Sequence, residues 1–198
     1  ARLHVSRPTA RQALQRLVDR GLLTRRRGVG TIVSPRHVHR PMELTSLMRD
    51  LVNAGHKAHT TIQRYEARPA NAQEADVLKI AEGTLIVHIE RTRFANDEPI
   101  AVLTNFIPTD IAPTMQELES ASLYDLMRER GVTLASARQV IGARSATTKE
   151  AKLLSEHRGA ALLTTQRTTY DPSGRIVEYG NHIYRASRYS FEASLFAQ

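Results

Sequence analysis

The apolar positions first recur at helical spacing: Ala10, Leu14, Leu17 and Val18 line one side of a predicted helix, while Arg7, Arg11, Gln12 and Arg16 fall largely outside that stripe. Ser6 is a good N-cap, and Pro8 falls in the first turn, where a missing N–H loses no intrahelical partner. Gly21 supplies a permissive stop. Leu22-Leu23 then leads through Arg25, Arg26 and Arg27 into Gly28-Val29-Gly30 and the β-rich Thr31-Ile32-Val33. That pattern predicts a small two-stranded wing after the helix. Pro35 to Pro41 has two prolines and no apolar period, and reads as a linker.

Beyond the linker the pattern repeats. At a shift of 76 residues Ser46-Leu47 meets Ser122-Leu123, Gly55 meets Gly131, Ala67-Arg68 meets Ala143-Arg144, Glu74-Ala75 meets Glu150-Ala151, Gly83 meets Gly159, and Arg91-Thr92 meets Arg167-Thr168. Residues 46–95 and 122–171 share 13 identities in 50 without a gap, which marks an internal duplication. Each copy opens with a Ser-capped helix (46–54; 122–130) stopped by glycine. A strand (60–68; 135–146), a short helix (71–80; 148–156) and a second strand (84–95; 160–171) follow. Asn96-Asp97-Glu98 and Pro172-Ser173-Gly174 are hairpin turns into return strands at 99–107 and 176–188. The expected fold is α+β, with a central antiparallel sheet and helices on one side. Related halves leave a cleft between them, a common place for a small ligand.

Composition adds its information through distribution. The 198 residues carry +8 overall. Residues 1–40 contain ten Arg and a single acid, Asp19, which leaves 18 of the 28 basic and 19 of the 20 acidic residues for 41–198. One end is a polycation and the rest is nearly neutral, which points to a nucleic-acid partner at the N-terminus. A membrane surface would call for bulky apolar residues opposite the basic face, and this short stripe has no Trp or Phe. No run of 18 apolar residues and no leader is visible, so a cytoplasmic protein is expected. Cysteine is absent, which removes thiol nucleophiles and thiolate metal sites. Only Ala1 to His4 precede the helix, so the preceding helix of a helix-turn-helix is expected to be missing from this sequence.

The residues Ser6, Arg7, Thr9, Arg11, Ala13-Leu14, Gly21-Leu22-Leu23, Gly28, Gly30 and Thr31 resemble the winged helix-turn-helix of the GntR family of bacterial transcription regulators. The remainder is similar to the effector-binding UTRA domain of the HutC subfamily, whose fold is like that of chorismate lyase. That second resemblance rests on Ala54-Gly55, Glu74-Ala75, Leu78, the run Arg91 to Ile100, Ser122-Leu123-Tyr124 and Tyr184-Arg185. Together they imply a winged helix-turn-helix (recognition helix and wing only) at 1–34, a linker at 35–41 and a UTRA domain at 42–198.

For DNA, Ser6, Arg7, Thr9, Arg11 and Gln12 stand on the first turns of the recognition helix, and arginine's planar fork suits guanine O6 and N7. Gly28 and Gly30 allow the wing backbone close to DNA, with Arg25, Arg26 and Arg27 near phosphates or a minor groove. The bland alternative is a solvated basic face, disfavoured by the charge asymmetry and the wing. The resemblance places effector contacts on Ser46, Arg91, Arg93, Ser122, Tyr124, Glu178 and Tyr184. Arg91 and Arg93 alternate on one strand and so share a face, a plausible clamp for phosphate or carboxylate. Against this, serines at helix starts are usually caps and strand arginines usually pair with surface acids. Sugar-phosphate-sensing relatives are expected to carry an acid where this chain has Leu103, which points to a less polar effector.

The expectation is a repressor that binds a palindromic double-stranded operator as a homodimer and is modulated by a small anionic metabolite, a sugar phosphate or carboxylate. No cofactor and no metal site is expected: His37 and His39 flank no other ligand in the linker. The alternatives are an enzyme of chorismate-lyase-like fold acting on a small aromatic acid, and a constitutive architectural DNA-binding protein.

Overall fold

The computed structural model describes residues 6–19, 23–26, 30–33, 38–41 and 44–193. Helix α1 (Arg7–Asp19) begins where the sequence places it, with the Ser6 hydroxyl accepting the Thr9 N–H at 3.3 Å. Strands β1 (Leu23–Arg26) and β2 (Gly30–Val33) pair antiparallel as the wing. Gly21, Arg27 and Gly28 lie outside the described residues.

The linker expected at 35–41 is in part a strand: β3 (Val38–Pro41) pairs in parallel with β10 (Tyr189–Glu192). Its partner lies some 150 residues away, which no local pattern displays. The return strand expected over 176–188 accordingly ends early. β9 runs Ile176–Arg185, a turn closes with the Arg188 N–H on the Arg185 carbonyl at 2.9 Å, and β10 begins.

The other strands are β4 (Ala58–Pro69), β5 (Leu85–Ala95), β6 (Glu98–Pro108), β7 (Ser136–Ser145) and β8 (Ala161–Tyr170). With β9 they form one antiparallel sheet in the order β4-β5-β6-β9-β8-β7. Its middle pair, β6 and β9, joins two equivalent three-stranded halves. The halves share their irregularities: a register shift follows Arg93 in one hairpin and Thr169 in the other. The second hairpin is one residue longer, so Leu103 opposite Arg91 becomes Gly180 opposite Arg167, and the return strands correspond at a spacing of 77.

The duplicated helices explain their own positions. α3 (Ala72–Leu78) and α6 (Thr148–Leu153) each start in a capping box, Asn71 with Glu74 and Thr147 with Glu150. Each capping glutamate also takes a two-pronged arginine from the preceding strand: Arg68 on Glu74 and Arg144 on Glu150, at 2.6 and 2.7 Å in both cases. The Arg144 hydrogen bonds pull the Glu150 carboxyl down to about 2.

Helices cover both faces of the sheet rather than one. α3 and α6 pack over one face, on Ile86, Ile176 and Phe106 and on Val102, Leu162 and Ile183. α2 (Leu47–Asn53), α4 (Met115–Ser120) and α5 (Leu123–Glu129) cover the other. Leu118, Leu123, Leu126 and Met127 meet Val87, Ile89 and Ile107 there, while Leu47 and Leu51 meet Ile100, Leu103 and Tyr184. On β5, Ile86 packs toward α3 while Val87 and Ile89 pack toward α4 and α5, so periodicity alone does not assign the helices to one face.

Candidate effector site and DNA-facing helix

The α2/α5 face leaves a small, open cavity of about 40 Å³, lined by Thr45, Ser46, Leu47 and Met48 at the start of α2 and by side chains of β5, β6, β8, β9 and α5. Alternation along β5 points Arg91 and Arg93 into it, and both are only 2% exposed. Arg91 Nη2 donates to Asn105 Oδ1 at 2.8 Å, and Asn105 Nδ2 donates to Glu178 Oε1 at 2.6 Å. The other carboxylate oxygen of Glu178 accepts the Thr169 hydroxyl at 2.7 Å and the Tyr124 hydroxyl at 3.2 Å. Arg167 reaches Tyr124 Oη at 3.4 Å and is held by Gln139, whose Oε1 accepts Nε and Nη2 at 2.8 and 2.6 Å.

Charge in this cluster is unbalanced. Three buried guanidiniums face one buried carboxylate. Nε and Nη1 of both Arg91 and Arg93 are buried without a hydrogen-bond partner, and Arg93 has no ion pair among the described residues. Burial pulls the Arg91 guanidinium down to about 10 against the attraction of Glu178. Burial, and then its neighbour Arg91, pull Arg93 down to about 9. Burial likewise pushes the Glu178 carboxyl up and Tyr124 up to about 12. A desolvated cation with unused donors is costly unless an anion meets it.

Ser46, Arg91, Arg93, Tyr124 and Tyr184 line the cavity, and Glu178 lies behind it, bonded to lining residues Asn105 and Tyr124. The Ser46 hydroxyl caps α2, accepting the Arg49 N–H at 3.2 Å. Ser122 caps α5 by backbone only; its hydroxyl is buried without a partner and lies outside the lining. Tyr184 stacks on Tyr189 with ring centroids 4.3 Å apart.

Sequence reasoning missed Asn105, Arg167 and His182, all of which line the cavity. Arg167 was within reach, because the 76-residue register already sets it against Arg91. Asn105 and His182 are equivalent positions at the 77-residue spacing, which only the paired strands reveal. Gly180 is required between two site residues: a Cβ there would stand 2.4 Å from His182 Nε2 and 2.6 Å from Glu178 Oε1.

On α1, Ser6, Arg7, Thr9, Arg11 and Gln12 are exposed, and Arg7, Arg11 and Gln12 share one open groove. Arg25 and Arg26 sit on β1 and Gly30 opens β2. Arg27 and Gly28, also expected to approach DNA, lie outside the described residues.

The UTRA domain model matches residues 53–190, and the model of bacterial regulatory proteins, gntR family, matches residues 1–33. The chain belongs to the GntR family, with a UTRA domain. It is 34% identical to the HTH-type transcriptional repressor NagR of Bacillus subtilis over 190 residues, 94% of this chain and 78% of that protein. The structure of PhnF from Mycobacterium smegmatis superposes with a TM-score of 0.85 at 26% identity, over 98% of this chain and 87% of that one. A transcriptional regulator from Streptomyces coelicolor is 47% identical over 72% of this chain and 96% of that one, with a TM-score of 0.66. This GntR-family chain is therefore a DNA-binding transcription regulator with an effector domain, and the enzyme reading is set aside. Among the described residues no helix is long and apolar enough to cross a membrane.

Proposed function

We propose that the chain is a cytoplasmic repressor that binds a palindromic operator as a homodimer and responds to a small anionic metabolite, a phosphate monoester or a carboxylate. The observation that carries this reading is the set of four buried guanidinium nitrogens without a hydrogen-bond partner, Nε and Nη1 of Arg91 and Arg93. The anionic group meets Arg91, Arg93 and the start of α2 at Ser46. Tyr124 serves the hydroxyls of the effector, Glu178 holds the ring of donors in place, and Tyr184 and apolar Leu103 wall the less polar end. On DNA, Ser6, Arg7, Thr9, Arg11 and Gln12 meet base edges and phosphates, with Arg25, Arg26, Arg27, Gly28 and Gly30 as the wing's contacts.

A physical route joins the two functions. Tyr184 stacks on Tyr189, Tyr189 begins β10, and β10 pairs with β3, the strand that follows the wing. An effector that favours one placement of Tyr184 thereby favours one placement of β3 and the DNA head. It shifts operator affinity only by its differential affinity for the two placements. A thermal-shift screen of sugar phosphates and carboxylates, followed by gel-shift titration of each stabilising compound, tests this. A compound that raises the melting temperature and changes operator affinity supports the reading, and compounds that bind this site without changing operator affinity refute it.

A further inference from the structure

The duplicated halves set equivalent residues on the α3/α6 face of the sheet, and one pair of positions differs in kind. At the 77-residue spacing of the middle strands, the cross-strand pair Phe106 and Tyr179 corresponds to Ile183 and Val102. Phe106 and Tyr179 stack with ring centroids 6.1 Å apart and pack against the α3 cluster. Arg68, clamped by Glu74, lays its guanidinium over Phe106, with Cζ 5.9 Å from the ring centroid. In the second half the arginine remains and the rings do not. Arg144 is clamped by Glu150 at the same two distances, but has Ile183 where Arg68 has Phe106, and its side chain is 44% exposed against 24% for Arg68. An open cavity of about 220 Å³ results beside α6, its lining including Arg144, Val102, Ile183, Thr104 and Asn181.

We infer that this cavity is a second small-molecule site, which takes a single uncharged aromatic ring carrying a hydroxyl group. The ring lies between Arg144 and the sheet, in the place that Phe106 fills in the other half. The second copy thus receives from a ligand what the first builds from its own chain. Size agrees: a cavity of about 150 Å³ holds a benzene ring, and 220 Å³ leaves room for a substituent. So does the lining. Val102 and Ile183, 6% and 8% exposed, give an apolar floor, and the neighbouring cross-strand pair Thr104 and Asn181 offers a hydroxyl both donors and acceptors. Charge at the rim is balanced, since Lys149 Nζ meets Glu90 Oε1 at 3.4 Å and Arg144 meets Glu150, so nothing there selects an ion. The site is distinct from the effector cavity. Glu90, Thr104 and Asn181 alternate along their strands with Arg91, Asn105 and His182, so the two cavities stand back to back across the sheet and share no lining residue.

Ligand-detected NMR titration of the full chain with phenol tests this, with cyclohexanol as the compound of similar size that lacks a π face. Two variants report on the place of binding. Ile183→Phe supplies from the chain the ring that the first half already has, and Arg144→Ala removes the guanidinium that covers it. The expected result is saturable binding of phenol at one site per chain, cyclohexanol at least tenfold weaker, loss of phenol binding in Ile183→Phe, and at least tenfold weaker binding in Arg144→Ala. Arg144 is half-exposed, so its variant decides the matter should Ile183→Phe fail to fold. Phenol that binds either folded variant as tightly as the parent sits elsewhere and overturns the proposal. Equal binding of phenol and cyclohexanol, or no saturable binding of phenol by the parent, overturns it as well.

Discussion

Arg93 sits in the protein as a buried cation with nothing among the described residues to neutralise it. Such a residue costs stability in the empty protein. Arg93→Gln is therefore expected to raise the melting temperature of the ligand-free chain by roughly 3–6 °C, equivalent to about 1–2 kcal/mol. The same variant loses stabilisation by added anions, and melting curves with and without inorganic phosphate read both effects. A structural arginine would show the opposite pattern, a loss of stability with no change in anion response. Gly180→Ala forces Glu178 and His182 off their positions and is expected to cost about 2 kcal/mol as overpacking, measured by denaturant unfolding. At this scale the sequence was partly legible. Alternation on β5 and the family motif single out Arg91 and Arg93, whereas Asn105 and His182 become site residues only through strand register.

The elements repeat with their chemistry intact, which gives the duplication a quantitative test. Glu74→Gln and Glu150→Gln each remove a capping interaction and one arginine clamp, at about 1 kcal/mol apiece. The Arg144 clamp adds little because that side chain is 44% exposed and screened by water; the Arg68 clamp, with its arginine 24% exposed, is less screened. Being in separate halves, their effects are expected to add in the double variant. The pH dependence follows from the depressed Glu150 carboxyl, about 2 in the folded chain against 4.5 for the free group. The folded state holds the proton less tightly, so the stabilisation is present above about 4.5 and fades as pH falls towards 2. Glu150→Gln is expected to flatten that acid limb in unfolding curves taken between those values. Most element boundaries were legible because Ser, Asn and Thr caps and the repeated glycines punctuate both copies. β3 and β10 were not, since each is a four-residue strand whose partner comes from the far end of the chain.

Over the whole molecule, charge and function separate in the same way. The arginine-rich N-terminal 40 residues contain the GntR-family match, and the nearly neutral remainder holds buried arginines around a cavity. The two regions meet through β3 and β10. Operator affinity is expected to fall steeply with added salt, as counterion release dictates, and anisotropy titrations at several salt concentrations check this. The central claim is that the buried arginines form an anion site. Calorimetric titration of inorganic phosphate into the chain and into Arg93→Gln tests it most directly. The account predicts one saturable site per chain and at least tenfold weaker binding in the variant. Equal affinity in the two proteins, or no saturable binding in the parent, would contradict it.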